Sequence, residues 1–145
     1  MAKTSEIRAI NAPVEKVFET VAHIENFSEA IPHITNVEML SDVKRGVGAK
    51  FRETRVIKGK EGKATLEVTE YVENERVRFV SDEGGVIWDS VFTFTPEGEG
   101  STIALEMEAK PYKFMSRLMT PIVMGIVSKA VASDMDAIKT YCEDE

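Results

Sequence analysis

Residues 86–110 read VIWDSVFTFTPEGEGSTIALEMEAK, and the spacing of the apolar residues within them decides the class of fold. Trp88, Ser90, Phe92 and Phe94 share one phase of a two-residue repeat, while Asp89, Thr93 and Thr95 take the other. Beyond the turn residues Pro96 to Gly100, Ile103, Leu105 and Met107 alternate in the same way with Thr102, Glu106 and Glu108. Successive side chains of a strand point to opposite faces. The stretch therefore predicts two antiparallel strands with one dry face and one wet face.

The same period runs back to residue 34. It predicts further strands near 34–41, 46–57, 62–73 and 76–82, with the two above near 86–95 and 101–110. Short polar or glycine-bearing connections separate them: Arg45-Gly46, Lys58 to Gly62, Glu73-Asn74-Glu75 and Glu83-Gly84-Gly85. Connections this short make neighbours in sequence neighbours in the sheet. Alternating Ile7 and Ala9 predict an opening strand. After it, Asn11-Ala12-Pro13 starts a helix whose Val14, Val17, Phe18 and Val21 form one apolar stripe. A second short helix spans Glu25 to Ala30, stopped by Pro32.

The last 33 residues read as one long helix. Val127, Val131, Met135, Ile138 and Cys142 make a clean stripe, whereas Phe114 to Val127 is apolar almost all round. Pro121 lacks an amide hydrogen and predicts a kink or a new segment. Gly125 weakens the next turn, and motion there would admit a ligand. The order is strand, two helices, six strands, long helix. A seven-stranded sheet with one dry face has to cover that face, and the long helix is the element available. The expected architecture is α+β: a curved antiparallel sheet wrapped around the C-terminal helix, with two short helices after the first strand, in one domain over 1–145.

Several motifs carry a family resemblance: Ile10-Asn11-Ala12-Pro13-Val14-Glu15-Lys16-Val17-Phe18, Ile31-Pro32, Gly46-Val47-Gly48 before a long strand, Val68-Thr69-Glu70-Tyr71-Val72, and Gly100-Ser101-Thr102 before the last strand. In this order and spacing the chain resembles the SRPBCC, or START-like, superfamily, near its polyketide cyclase/dehydrase-type branch. The resemblance implies a helix-grip fold with a deep cavity between sheet and final helix. It also implies a ligand among lipids, sterols, hormones, quinones or polyketides, and in some branches cyclisation or dehydration. Catalytic residues differ between branches, so none is carried over.

Composition narrows the alternatives. The 18 Lys and Arg are scattered among 25 Asp and Glu, for a net charge of −7. That excludes a nucleic-acid partner of the ordinary phosphate-contacting kind and disfavours electrostatic docking on anionic membranes. One cysteine, Cys142, rules out an internal disulfide and a multi-cysteine zinc site. His23 and His33 have no ligand spacing, so no metal and no cofactor are expected. No leader-like segment or integral membrane segment is read, which makes a cytoplasmic protein the expectation.

Candidate site residues follow from parity. Phe51, Val68, Phe79, Trp88, Phe92, Leu105 and Met107 should line the cavity opposite Met119, Ile122 and Ile126. Ser81 and Ser90, in phase with them, would orient a ligand. Glu53 and Arg55 share parity with Phe51 and Ile57, which turns the pair inward as a polar anchor; a β-bulge would return both to water. Glu70 has the same ambiguity, and a bulge is expected there. The leading expectation is binding or carriage of a small hydrophobic molecule. The alternatives are a cyclase or dehydratase, with Glu53 as base and Arg55 or His33 polarising a carbonyl, and an interaction module assisting quinone or lipid delivery. The apolar 114–127 stretch could serve as a portal, a homodimer interface or a membrane-touching lid.

Overall fold

The computed structural model describes residues 2–144. Strand β1 (Ala2–Ile10) is followed by helices α1 (Val14–Ala22) and α2 (Ile24–Ala30). Six strands come next: β2 (Ile34–Met39), β3 (Lys50–Ile57), β4 (Lys60–Val72), β5 (Arg76–Glu83), β6 (Val86–Glu97) and β7 (Gly100–Pro111). Helix α3 (Phe114–Glu143) ends the chain's regular structure. All strands form one antiparallel sheet in the order β1-β7-β6-β5-β4-β3-β2, so β1 closes onto the far end of a meander. This is the α+β sheet-and-helix architecture expected from the alternation, and the helix-grip fold that the resemblance implies.

The strands depart from their expected limits at the turns. Between β3 and β4 the connection is two residues, Lys58 and Gly59, both with positive φ. Such a turn matches the twist of the flanking strands, so pairing continues to Ile57 opposite Lys60. At the other end of β3, residues 46–49 are not strand, and the ladder begins at Lys50.

Inner-face residues align in rungs across the sheet. Phe51, Leu66, Ser81, Trp88 and Ala109 form one; Val68, Phe79, Ser90 and Met107 the next; Tyr71, Val77, Phe92 and Leu105 a third. The register slips between Val68 and Glu70. That bulge turns Glu70 outward, where it pairs with Arg76 at 2.9 Å, and returns Tyr71 to the inner face. At the third-rung end, Phe18 from α1 is fully buried and meets Tyr71 and Phe94 edge to face at 5.2 and 5.1 Å. This end of the grip is filled with aromatic rings.

Helix α3 runs unbroken past Pro121, so no new segment starts there. Its buried positions are Ser116, Thr120, Met124, Val131, Met135, Ile138 and Cys142, one stripe along its whole length. The C-terminal half is pinned to β1. Arg8 donates to Asp136 at 2.7 Å, and Lys139 donates to the Ala9 carbonyl at 2.8 Å. The N-terminal half is held at the β5–β6 turn, where Ser116 donates to the Gly84 carbonyl at 2.6 Å. Gly85 (φ +80°) lies beneath Ser116 and Lys113, and a Cβ there would collide with both. Gly125 faces open space and is exposed. Gly125→Ala should therefore stabilise the protein by about 0.8 to 1 kcal/mol through helix propensity alone, read as a rise in the urea midpoint. A fall would show that this turn depends on glycine's freedom.

Candidate functional site

The filled end gives way to a cavity of about 330 Å³ between the inner face of the sheet and the middle of α3. Its floor is aromatic: Phe79 packs edge to face on Phe51 at 6.2 Å and on Phe92 at 6.0 Å. Its roof is Val127, Ala130 and Val131, and α2 contributes Phe27. Small residues leave the space open. Ala64, Ser81, Ser90 and Ala130 stand where larger side chains would fill it.

Ten of the candidate residues border this cavity: Phe51, Glu53, Arg55, Phe79, Ser81, Trp88, Ser90, Phe92, Leu105 and Met107. Three expectations are corrected. Val68 is buried within the packed core rather than on the cavity wall. Met119, Ile122 and Ile126 are exposed, because α3 turns Ser116, Thr120 and Met124 toward the sheet and these three away from it. His33 is likewise not on the cavity wall; it lies just before β2, where its carbonyl accepts from the Val56 amide at 2.9 Å. The other histidine, His23, is 2% exposed. Its Nε2 shares a 3.0 Å hydrogen bond with the Tyr71 hydroxyl. Its Nδ1 lies 3.2 Å from Glu19 Oε1 but out of line for a hydrogen bond.

No bulge intervenes between Phe51 and Ile57 on the β4 side, so β3 keeps its parity and Glu53 and Arg55 both face inward. Arg55 Nε donates to Glu53 Oε2 at 2.7 Å. Its two terminal nitrogens grip Asp134 of α3 at 3.0 and 2.9 Å. Burial alone would lower the Arg55 pKa, but Asp134 and Glu53 overcome that and hold it above its ordinary value. Asp134 escaped the sequence reading. It lies between Val131 and Met135 on the gripped half of α3, and an inward β3 cation with room for a second partner was the available signal.

Around Arg55 two carboxylates thus share one guanidinium, and Lys63 and Glu83 also line the cavity. Glu53 Oε1 accepts no hydrogen bond among the described residues, nor does the buried Ser81 hydroxyl have a partner. Of these two only the Ser81 hydroxyl is a buried atom without a partner, which is uncommon and marks a place where something else bonds. Cys142 is fully buried beside Thr20, and burial pushes its thiol pKa up, which leaves it protonated and unsuited to nucleophilic work. Among the described residues, no three His, Cys, Asp or Glu converge as metal ligands.

A family model described as polyketide cyclase / dehydrase and lipid transport matches residues 1–143. No curated protein matches the chain in sequence. Among solved structures, TTHA0849 from Thermus thermophilus superposes with a TM-score of 0.77 at 22% identity, covering 96% of this chain and 95% of its own. A START superfamily protein from Mycobacterium smegmatis gives 0.77 at 17%, with 97% of each chain covered. The di-domain ARO/CYC StfQ of the steffimycin biosynthetic pathway gives 0.80 at 12%, matching 98% of this chain and 51% of the larger protein. At these identities the likenesses establish a shared fold.

Proposed function

We propose, given that this chain belongs to the polyketide cyclase / dehydrase and lipid transport family, that it binds a small hydrophobic molecule whose polar end donates hydrogen bonds. The observation that carries this reading is an apolar cavity with one charged edge. Aromatic and aliphatic walls would desolvate the body of a ligand, and Glu53, Asp134 and Ser81 would receive its polar end. Both forks of Arg55 are engaged by carboxylates. With Lys63 and Glu83 also on the lining, three carboxylates face two cations, and this net negative character disfavours a ligand carboxylate and favours a hydroxyl or an amine.

A ligand that binds the native state alone raises stability by about 2.7 kcal/mol at a hundredfold excess over Kd. Trp88 lines the cavity, so the expected result is a higher melting temperature together with a shift in tryptophan emission. A long-chain alcohol should produce both more strongly than the fatty acid of equal length. If alcohols, sterols, quinones and flavonoids all leave both readouts unchanged, the binding reading fails.

One observation supports a catalytic second reading. Glu53 lines the cavity and spends only Oε2 on Arg55, which leaves it a carboxylate oxygen with which a base would act on a polyketide-like substrate. Turnover of such a substrate that Glu53→Gln abolishes, with binding retained, would favour the enzyme. The carrier reading ranks first because both rim carboxylates are tied to one guanidinium.

A further inference from the structure

The first half of α3 is built inside out. Its sheet-facing positions begin with the small polar residues Ser116 and Thr120 and reach an apolar one only at Met124, while Phe114, Met115, Leu118, Met119, Ile122 and Ile126 face solvent. Phe114 is 73% exposed and Ile126 69%. Positions 114, 118, 122 and 126 repeat every fourth residue, with 115 and 119 beside them, so they form one continuous face. That face is about 18 Å long at 1.5 Å per residue. Scattered apolar residues on a surface need no explanation, but a contiguous patch of this extent marks an interaction site.

Charge indicates what the patch meets. Between Glu108 and Asp134 the chain has Lys110, Lys113, Arg117 and Lys129 and no acid, although the whole chain carries −7. The net charge therefore conceals a basic segment. Lys110 is paired with Asp89, whereas Lys113, Arg117 and Lys129 make no ion pair among the described residues. A second copy is a poor occupant, because a two-fold interface sets the same patch on both subunits and would bring these cations together. An anionic bilayer offers both halves of the match: acyl chains for the apolar face and headgroup charge for the cations.

We propose that the outward face of α3 from Phe114 to Ile126 docks on anionic membrane surfaces, lying in the interface plane. The most apolar window of α3 has a mean hydropathy of 1.3 and is only 17% buried, a composition that passes for a membrane span. Lying flat satisfies that composition while keeping Arg8 and Arg55 on Asp136 and Asp134, contacts that a spanning helix would have to give up. The position beside the cavity fits this role. A smaller hollow beneath Met115, Met119 and Val123 shares Glu83 and Trp88 with the ligand cavity.

The test is co-sedimentation of the purified full chain with phosphatidylcholine vesicles containing or lacking phosphatidylserine. Binding should require phosphatidylserine and weaken as salt rises. Lys113→Gln with Arg117→Gln should reduce it about twenty-five-fold, at roughly fivefold per removed cation. Ile122→Ser with Ile126→Ser should reduce it at least about tenfold, and neither pair should lower the melting temperature, since all four side chains are exposed. No sedimentation with either vesicle, or sedimentation indifferent to both variant pairs, overturns the proposal. A dimer in analytical ultracentrifugation that Ile122→Ser with Ile126→Ser dissociates would assign the face to a second copy and overturn it as well. Vesicle binding is read without added ligand, so its failure leaves the cavity reading standing, and the converse holds.

Discussion

Arg55→Met should lose about 3 to 5 kcal/mol of folding stability, the range for breaking a buried charge pair. The substitution strands two carboxylates at once. The Glu53 side chain is 9% exposed and that of Asp134 is 14% exposed, so neither recovers full hydration. It also cuts the tie between β3 and α3, whereas the opposite flank of the helix keeps its bonds to β1. Combining Arg55→Met with Glu53→Gln and Asp134→Asn removes the stranded charge and should restore most of the loss. Arg52, on the wet face of the same strand, provides the control. Its pair with Glu38 has side chains 44% and 60% exposed, so Arg52→Met should change stability by under about 1 kcal/mol. Urea denaturation of these variants checks the set. Equal effects for Arg55→Met and Arg52→Met would mean that the triad is solvated.

Phe18→Ala should be comparably severe, at about 3 to 5 kcal/mol. Phe18 is fully buried and holds both Tyr71 and Phe94 by edge-to-face contacts, each worth about 0.5 to 1.5 kcal/mol beyond burial. Phe79→Ala should lose less, because Phe79 already borders open volume and its removal enlarges a cavity rather than creating one. The contrast is the informative measurement. A larger loss at Phe79 would show that the cavity is occupied by ordered contacts in solution.

The sheet was legible because burial on one face writes a two-residue period into the chain, as at Trp88 to Thr95. Glu53 and Arg55 were legible for the same reason: parity counted from Phe51 holds wherever no bulge interrupts it. Helix α3 was legible only in its second half. From Phe114 to Val127 nearly every side chain is apolar, so hydrophobicity has no phase there, and Met119, Ile122 and Ile126 could not be told from inward residues. The missing phase was present further on. Counting back from Cys142 through Ile138, Met135 and Val131 in threes and fours reaches Met124, Thr120 and Ser116, the positions that are buried. Two small polar residues on the inner stripe look like a contradiction in sequence; in structure Ser116 donates to the Gly84 carbonyl and Thr120 to the Ser116 carbonyl of its own helix. The Lys58-Gly59 turn reads as overlong in sequence because lysine rarely adopts positive φ, so glycine alone signals it.

The pairing of β1 with β7 sets when this fold can form. Ala2 lies opposite Ala109, and Ile10 opposite Ser101, so the two edges of that ladder come from opposite ends of the strand-forming sequence. Helix α3, which covers the dry face, follows later still. A growing chain can zip β2 through β7 as successive hairpins, but β1 has no strand to join until β7 exists. Nor has the inner face anything to bury it until α3 has been made. Contacts between residues this distant in sequence slow folding, because a long loop must close before they yield any stabilisation. Folding should therefore run on the millisecond-to-second scale of proteins dominated by distant strand pairs. During synthesis, the waiting β1 strand and the bare inner face of the sheet are the surfaces a chaperone would have to shield.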